Sequence, residues 1–161
     1  MSALATRALS FVALLIVLGA VNYSIYAKEQ VIRTGETVYL ELAPVDPRSL
    51  MQGDYMALRF RLAQEIESAR GAGSLDQRIR SAPLSLDDRR VATLAVGNQQ
   101  ALRIRFNIFV FDSVWLGTNA YFFAEGTAER YAPARYGEFR LNRETGEAVL
   151  VGLRDANLNS L

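Results

Sequence analysis

The chain has no cysteine and no histidine. Without cysteine there is no disulfide scaffold, no thiol nucleophile and no thiolate metal ligand. Without histidine the commonest general base and the commonest transition-metal ligand are both missing, which removes most hydrolase triads and zinc sites. No metal or other cofactor is expected. Lysine is nearly absent as well: of 18 basic residues only Lys28 is a lysine, and the other 17 are arginines. Arginine stays protonated and does not serve as a general base, so beyond Lys28 no lysine base is available. There is also no basic run. Arg7 precedes the apolar segment described next, leaving 18 − 1 = 17 basic side chains against 17 acidic ones. That neutral balance makes nucleic acid a poor partner.

What is present is a chain of 161 residues, half of them apolar and 22% charged, the composition of one globular domain. Residues 8–27 carry no charge and are flanked by Arg7 and by Lys28-Glu29. At about 1.5 Å per helical residue this stretch spans the roughly 30 Å hydrocarbon core of a bilayer. Its interior, FVALLIVLGAV, is strongly apolar, and Tyr23 and Tyr26 stand where interfacial aromatics belong. Asn22 either bonds a neighbouring helix or faces the headgroups. A cleaved signal peptide is the rival reading, but Leu18-Gly19-Ala20 and Ile25-Tyr26-Ala27 both put a bulky residue where a cleavage site needs a small one. The expectation is a tail over 1–7 in the cytoplasm, an uncleaved transmembrane anchor over 8–27 embedded in the lipid bilayer, and an extracytoplasmic domain over 28–161. The orientation follows from Arg7 and the amino terminus, which face no nearby acid, whereas Glu29 and Glu36 dilute Lys28 and Arg33.

The domain reads as α+β, a mainly antiparallel β domain with few short helices, preceded by one N-terminal transmembrane helix. In TVYLEL, Val38, Leu40 and Leu42 alternate with polar neighbours, predicting a half-buried strand over 37–42. Met56, Leu58, Phe60 and Leu62 predict a second strand over 55–62, after a loop rich in proline and aspartate. Residues 63–90 are polar and interrupted by glycine, predicting a short helix and a surface loop. Residues 91–96 and 101–111 flank GNQQ and predict a hairpin, its longer arm alternating Leu102, Ile104, Phe106, Ile108 and Val110. Phe109, Phe111 and Trp115 make the opposite face apolar too, so the sheet is expected to be covered on both sides there. AEGTAERYAPAR predicts a short helix ended near Pro133, and YGEFRLN with GEAVLVGLRD predicts a second hairpin.

GDYMALRF, Gly53 to Phe60, together with the preceding APVDPRSLMQ, resembles the bacterial family named for its GDYXXLXY motif, a set of membrane-anchored proteins. FFAEGTAERYAPARYGEFRLN, Phe122 to Asn142, and VLVGLRD, Val149 to Asp155, form a second block similar to that family. The resemblance extends in layout over nearly the whole chain. It implies placement in the inner (cytoplasmic) membrane with the domain facing the periplasm, and a multi-spanning membrane protein as partner. It implies no reaction. The closing tyrosine of the motif is Phe60 here, which leaves an aromatic core role for that position.

Gly53-Asp54 is first of all a turn. Around it stand Asp46, Arg48, Gln52, Asp54 and Tyr55; the second block offers Glu125, Tyr131, Arg135, Tyr136, Glu138 and Arg140. Arginine forks matched to carboxylates can pin one block to the other, with Arg48 or Arg135 reaching across. The alternative is that these groups stay open to a partner or an anionic ligand, which makes Arg48, Asp54, Tyr55, Glu125, Tyr131, Arg135, Tyr136 and Glu138 the candidate binding residues. PVDPRSLMQGDYMALR also resembles the serine loop of type I signal peptidases. Ser49, however, is followed by Leu50 and has no downstream lysine to activate it, so that dyad is absent. Asp54 with Glu125 or Glu138 is the remaining acid–base pairing. The function expected is non-catalytic: an envelope protein that binds or assembles with a partner membrane protein, the alternative being a periplasmic ligand-binding or sensor module.

Overall fold

In the computed structural model, which describes residues 3–43, 51–52, 55–97, 101–108 and 113–161, the apolar segment is one helix, α1 (Ala3–Thr34). Within it Leu9–Thr34 is long and apolar enough to cross a membrane. Its large apolar side chains are exposed from Leu9 to Tyr26. Asn22 turns its amide back onto the Leu18 carbonyl at 2.8 Å, satisfying one donor within the helix itself.

The helix does not break at Ala27, where the charges begin. It continues for two more turns and packs them on the domain: Val31 is buried, and Lys28 forms an ion pair with Glu147. Gly35 then ends it. A Cβ there would stand 2.3 Å from the Val31 carbonyl oxygen and 3.1 Å from Cβ of Arg140, so only glycine lets the chain turn this close to its neighbour.

One residue later β1 (Glu36–Glu41) begins, with Val38 and Leu40 inward as the alternation predicts. Its partner is β10 (Tyr136–Leu141), which pairs in turn with β11 (Ala148–Arg154), so the three-stranded sheet runs β1-β10-β11 and is antiparallel throughout. The predicted C-terminal hairpin is therefore present. A bulge between Glu138 and Phe139 shifts its register.

The first block departs from expectation. After β2 (Met51–Gln52) and β3 (Tyr55–Ala57), burial still alternates through Met56, Leu58 and Phe60, but the ladder ends. Leu58 donates to the Asn119 carbonyl, Phe60 bridges to Leu42, and helix α2 (Arg61–Gly71) starts at once. Leu62 is buried as predicted, but on a helix, where it shares a stripe with Ala63 and Ile66. The period changes from 2 to 3.6 with no breaker between, and residue spacing over so few positions does not reveal the change.

Residues 63–90 hold more structure than the predicted helix and loop. Strand β4 (Ser81–Leu86) lies between β5 (Ala92–Leu94) and β6 (Leu102–Arg105), each antiparallel to it. The hairpin predicted between 91–96 and 101–111 is thus absent: its two arms flank a third strand. Pro83 concealed β4, since proline argues against a central strand. Its carbonyl accepts from Ala95 just past the end of β5, so the missing N–H falls where that ladder stops. The longer arm is divided into β6 and β7 (Asn107–Ile108), the latter paired with β8 (Val114–Trp115). Phe109, Val110 and Phe111, and residues 98–100 of the expected turn, lie outside the described residues. The second block supplies β9 (Ala120–Phe122), paired with β3, and one helical turn, α3 (Ala128–Tyr131), shorter than predicted and ending ahead of Pro133.

These sheets and α2 enclose one core, from Val38 and Leu40 through Phe60, Ile66, Leu84 and Ile104 to Phe139 and Leu153. Two carboxylates on α2 tie the helix to strands. Glu65 accepts the Leu94 N–H at 3.0 Å, and Glu67 accepts that of Val114 at 2.8 Å.

Candidate functional site

The two sequence blocks are joined, and the described contacts between them run through main chain and core. Strand β3 of the first pairs with β9, whose Phe122 opens the second: Tyr55 lies opposite Phe122, Met56 opposite Tyr121 and Ala57 opposite Ala120. Phe60, last residue of the first signature, sits edge-on to Phe139 with ring centroids 5.2 Å apart. It fills the space over Gly137, where a Cβ would come within 2.9 Å of its ring. The motif position occupied by Phe60 is thus an aromatic core position, as expected. Leu42 and Ala43 complete the junction, donating to the carbonyls of Arg135 and Arg59.

The expected arginine fork between blocks is not what the described residues contain. Asp46, Arg48, Gly53 and Asp54 lie outside them, as does the pairing of Asp54 with another carboxylate. Arg135 is exposed and makes no ion pair among the described residues; its backbone does the joining. Glu138 does have an arginine, but it comes from the end of the second block. The Arg154 Nε donates to Oε2 of Glu138 at 2.7 Å, and Nη2 donates to the same oxygen. The hairpin register explains the meeting: Glu138 faces Gly152, two residues from Arg154, a diagonal that long side chains can bridge. Glu138 is 7% exposed, on the sheet face opposite Phe139, and Tyr136 on the same face lies under the guanidinium of Arg89, 5.8 Å from its ring centroid. Carboxylate, fork and ring therefore share one face of the sheet.

Glu36, at the start of β1, accepts from Arg143 and Arg90, and these cations hold its carboxyl below the usual range, the Arg143 hydrogen bond most of all. At the chain's end Asp155 accepts from Asn157 and Asn159, and the bonds to Asn159 hold its carboxyl low.

The remaining sequence candidates stand apart from the face that carries Glu138. Glu125 is exposed in the turn after β9. Tyr131 ends α3 and stacks on Phe123 at 5.2 Å while meeting Tyr121 edge-on at 5.3 Å. Burial pushes the Tyr121 hydroxyl above its ordinary range, with Tyr131 adding to the effect. Tyr55 and Phe122 form an aromatic pair at the surface, ring centroids 5.9 Å apart, with Phe122 76% exposed.

A separate cleft of about 580 Å³ opens between α2 and the segments 57–60 and 113–119. Phe60, Gln64, Glu67, Arg70, Trp115 and Asn119 are among its walls. Sequence reasoning passed over Arg70, yet a signal existed: it continues the apolar stripe Leu62, Ile66 at four-residue spacing, a place where a charge needs a reason. Arg154 follows from the hairpin register only once the bulge is known.

No curated protein and no solved structure matches the chain. The model of one family, described as GDYXXLXY protein, matches residues 17–153, from within the apolar helix to the last strand. That match covers most of the sequence, and the chain belongs to the GDYXXLXY family.

Proposed function

We propose that this protein is a non-catalytic, single-pass component of the bacterial inner membrane whose periplasmic domain binds a multi-spanning membrane protein. The observation that carries this reading is the uninterrupted passage of α1 into the domain. Residues 8–27 suffice to cross a bilayer, and the two turns that follow are docked by Val31, by the Lys28–Glu147 pair and by the close approach at Gly35. A domain tethered by a flexible linker would sample a wide volume. This one is held at a set height above the bilayer, as suits a protein whose target is in the same membrane. Anchor rather than cleaved leader is supported by the same contacts, because removing α1 at residue 27 would leave Val31 on a short frayed end.

Absence of catalysis is supported by composition: no histidine, no cysteine, and no lysine beyond Lys28 to activate Ser49. The surface best suited to the partner is the aromatic pair of Tyr55 and Phe122, where the two family blocks meet at the β3–β9 pairing. Exposed aromatics of this kind anchor protein interfaces. The test is affinity purification of the full chain, expressed at native level, from detergent-solubilised membranes, comparing wild type with Phe122→Glu. A multi-spanning protein should be recovered with the wild type and lost with the variant, while both unfold at the same temperature. Recovery of no membrane protein refutes the adaptor reading; equal recovery with both refutes the interface.

A further inference from the structure

Among the described residues, the cleft beside α2 contains a charge without a counter-charge. Arg70 is 7% exposed, and among the described residues its side chain makes one hydrogen bond, from Nη1 to the Gln77 carbonyl at 3.0 Å. Its guanidinium lies 5.9 Å from the centroid of the Phe106 ring. Among the described residues no carboxylate comes within ion-pair distance of it. The nearest acid along the helix, Glu67, accepts the Val114 N–H and makes no ion pair among the described residues. A guanidinium carries five N–H donors in a planar fork. Among the described residues no buried side-chain nitrogen lacks a hydrogen bond, so the Arg70 nitrogens that do not bond Gln77 keep some solvent access, and Arg70 lines the cleft. The position is costly: a buried cation without its partner destabilises a fold, and Leu or Met at 70 would continue the apolar stripe of α2 at no such cost.

We propose that this cleft is a binding site for a small carboxylic acid, whose carboxylate takes the open donors of Arg70 and whose apolar body lies against Trp115 and Phe60. The volume falls in the range of small-molecule sites, about 300–1,000 Å³. Beyond Arg70, Arg59 and Glu67 the polar groups are uncharged, Gln64, Gln77, Ser113, Thr118 and Asn119, which can orient a ligand without adding charge. Among the described residues, Arg59 at the wall and Glu67 roughly cancel, leaving one net positive charge at Arg70. A monoanion matches that balance; a phosphate dianion would be driven against Glu67. The site is distinct from the Tyr55–Phe122 surface, so this proposal and the partner reading stand or fall separately.

Trp115 is the chain's single tryptophan, so its indole N–H gives one unambiguous resonance at the cleft. The experiment titrates the full chain, in a non-ionic detergent, with benzoate, acetate, benzamide and inorganic phosphate. Benzoate should shift the indole resonance saturably, acetate more weakly, and the neutral isostere benzamide at least about tenfold more weakly, the cost of an unmade hydrogen bond to a charged group. Arg70→Gln should lose the benzoate response. Because that variant alters a buried position, Gln64→Glu supplies a second test: it is exposed on α2, should leave the unfolding transition unchanged, and should weaken benzoate several-fold through like charge. No saturable shift with benzoate or acetate at tens of millimolar overturns the proposal. So does equal binding of benzoate and benzamide, tighter binding of phosphate, or a response that survives Gln64→Glu undiminished.

Discussion

Replacing Glu138 by alanine should destabilise the domain by about 1.5–3 kcal/mol, the range for a hydrogen bond to a charged group that is removed from one side only. The magnitude follows from the burial of the two partners. The side chain of Glu138 is 10% exposed and that of Arg154 24%. A fully buried pair broken on one side costs about 3–5 kcal/mol, and an exposed pair about 0–1 kcal/mol. Arg154 retains enough access to rehydrate part of its fork, which places the loss between those limits. Against a typical stability of 5–15 kcal/mol for a domain, the loss is large. The assay is urea unfolding of the full chain in a mild detergent that leaves α1 embedded, followed through Trp115. With a slope of about 1–3 kcal/mol per molar urea the midpoint should fall by roughly 1 M. A double-mutant cycle with Arg154→Ala separates the pair from its surroundings. Glu138→Met combined with Arg154→Met should recover most of the loss, since two apolar groups leave no orphaned charge. A coupling energy below about 0.5 kcal/mol would place the pair with surface ion pairs and refute its assignment as a partly buried pair of this sheet.

Glu36 has a folded-state carboxyl held below its unfolded value, so its contribution to stability is present above about pH 4.3 and is lost as pH falls through the folded value. Glu36→Gln should flatten that acid limb by less than about 1 kcal/mol, because Arg90 and Arg143 are largely exposed; unfolding curves from pH 3 to 6 would check this. Gly137→Ala should cost about 1–3 kcal/mol by driving a Cβ into Phe60 and Phe139, measured by the same urea assay. Leu15→Arg should add about 2.5–3.5 kcal/mol to insertion and reduce the membrane fraction, while mass spectrometry of the native protein should find the N-terminus intact. Ser49→Ala should leave any cellular phenotype unchanged at equal abundance, and a lost phenotype would restore a serine mechanism.

The sequence by itself determined those features whose signal is local. An uncharged run at 8–27 is legible as one apolar helix because its length exceeds what a soluble core needs. Val38 and Leu40 on β1, and the hairpin of β10 and β11, are legible because the side-chain period of a strand is 2 and the two arms are neighbours in the chain. The core role of Phe60 is legible from its place in that alternation, even though the strand ends before reaching it. Only the tertiary structure decided which elements meet. Strand β4 inserts between β5 and β6 because long-range pairing and burial of Ala82 and Leu84 outweigh the bias of Pro83 against a strand. The chain turns helical at Arg61 because Leu62 and Ile66 find core on the helical face, a gain that exists only once the sheets are in place. Glu138 finds Arg154 through a bulge that no residue type announces. Arg70 is a solvated charge in the sequence and a buried one in the fold, because burial belongs to the neighbours a side chain acquires and not to the side chain itself.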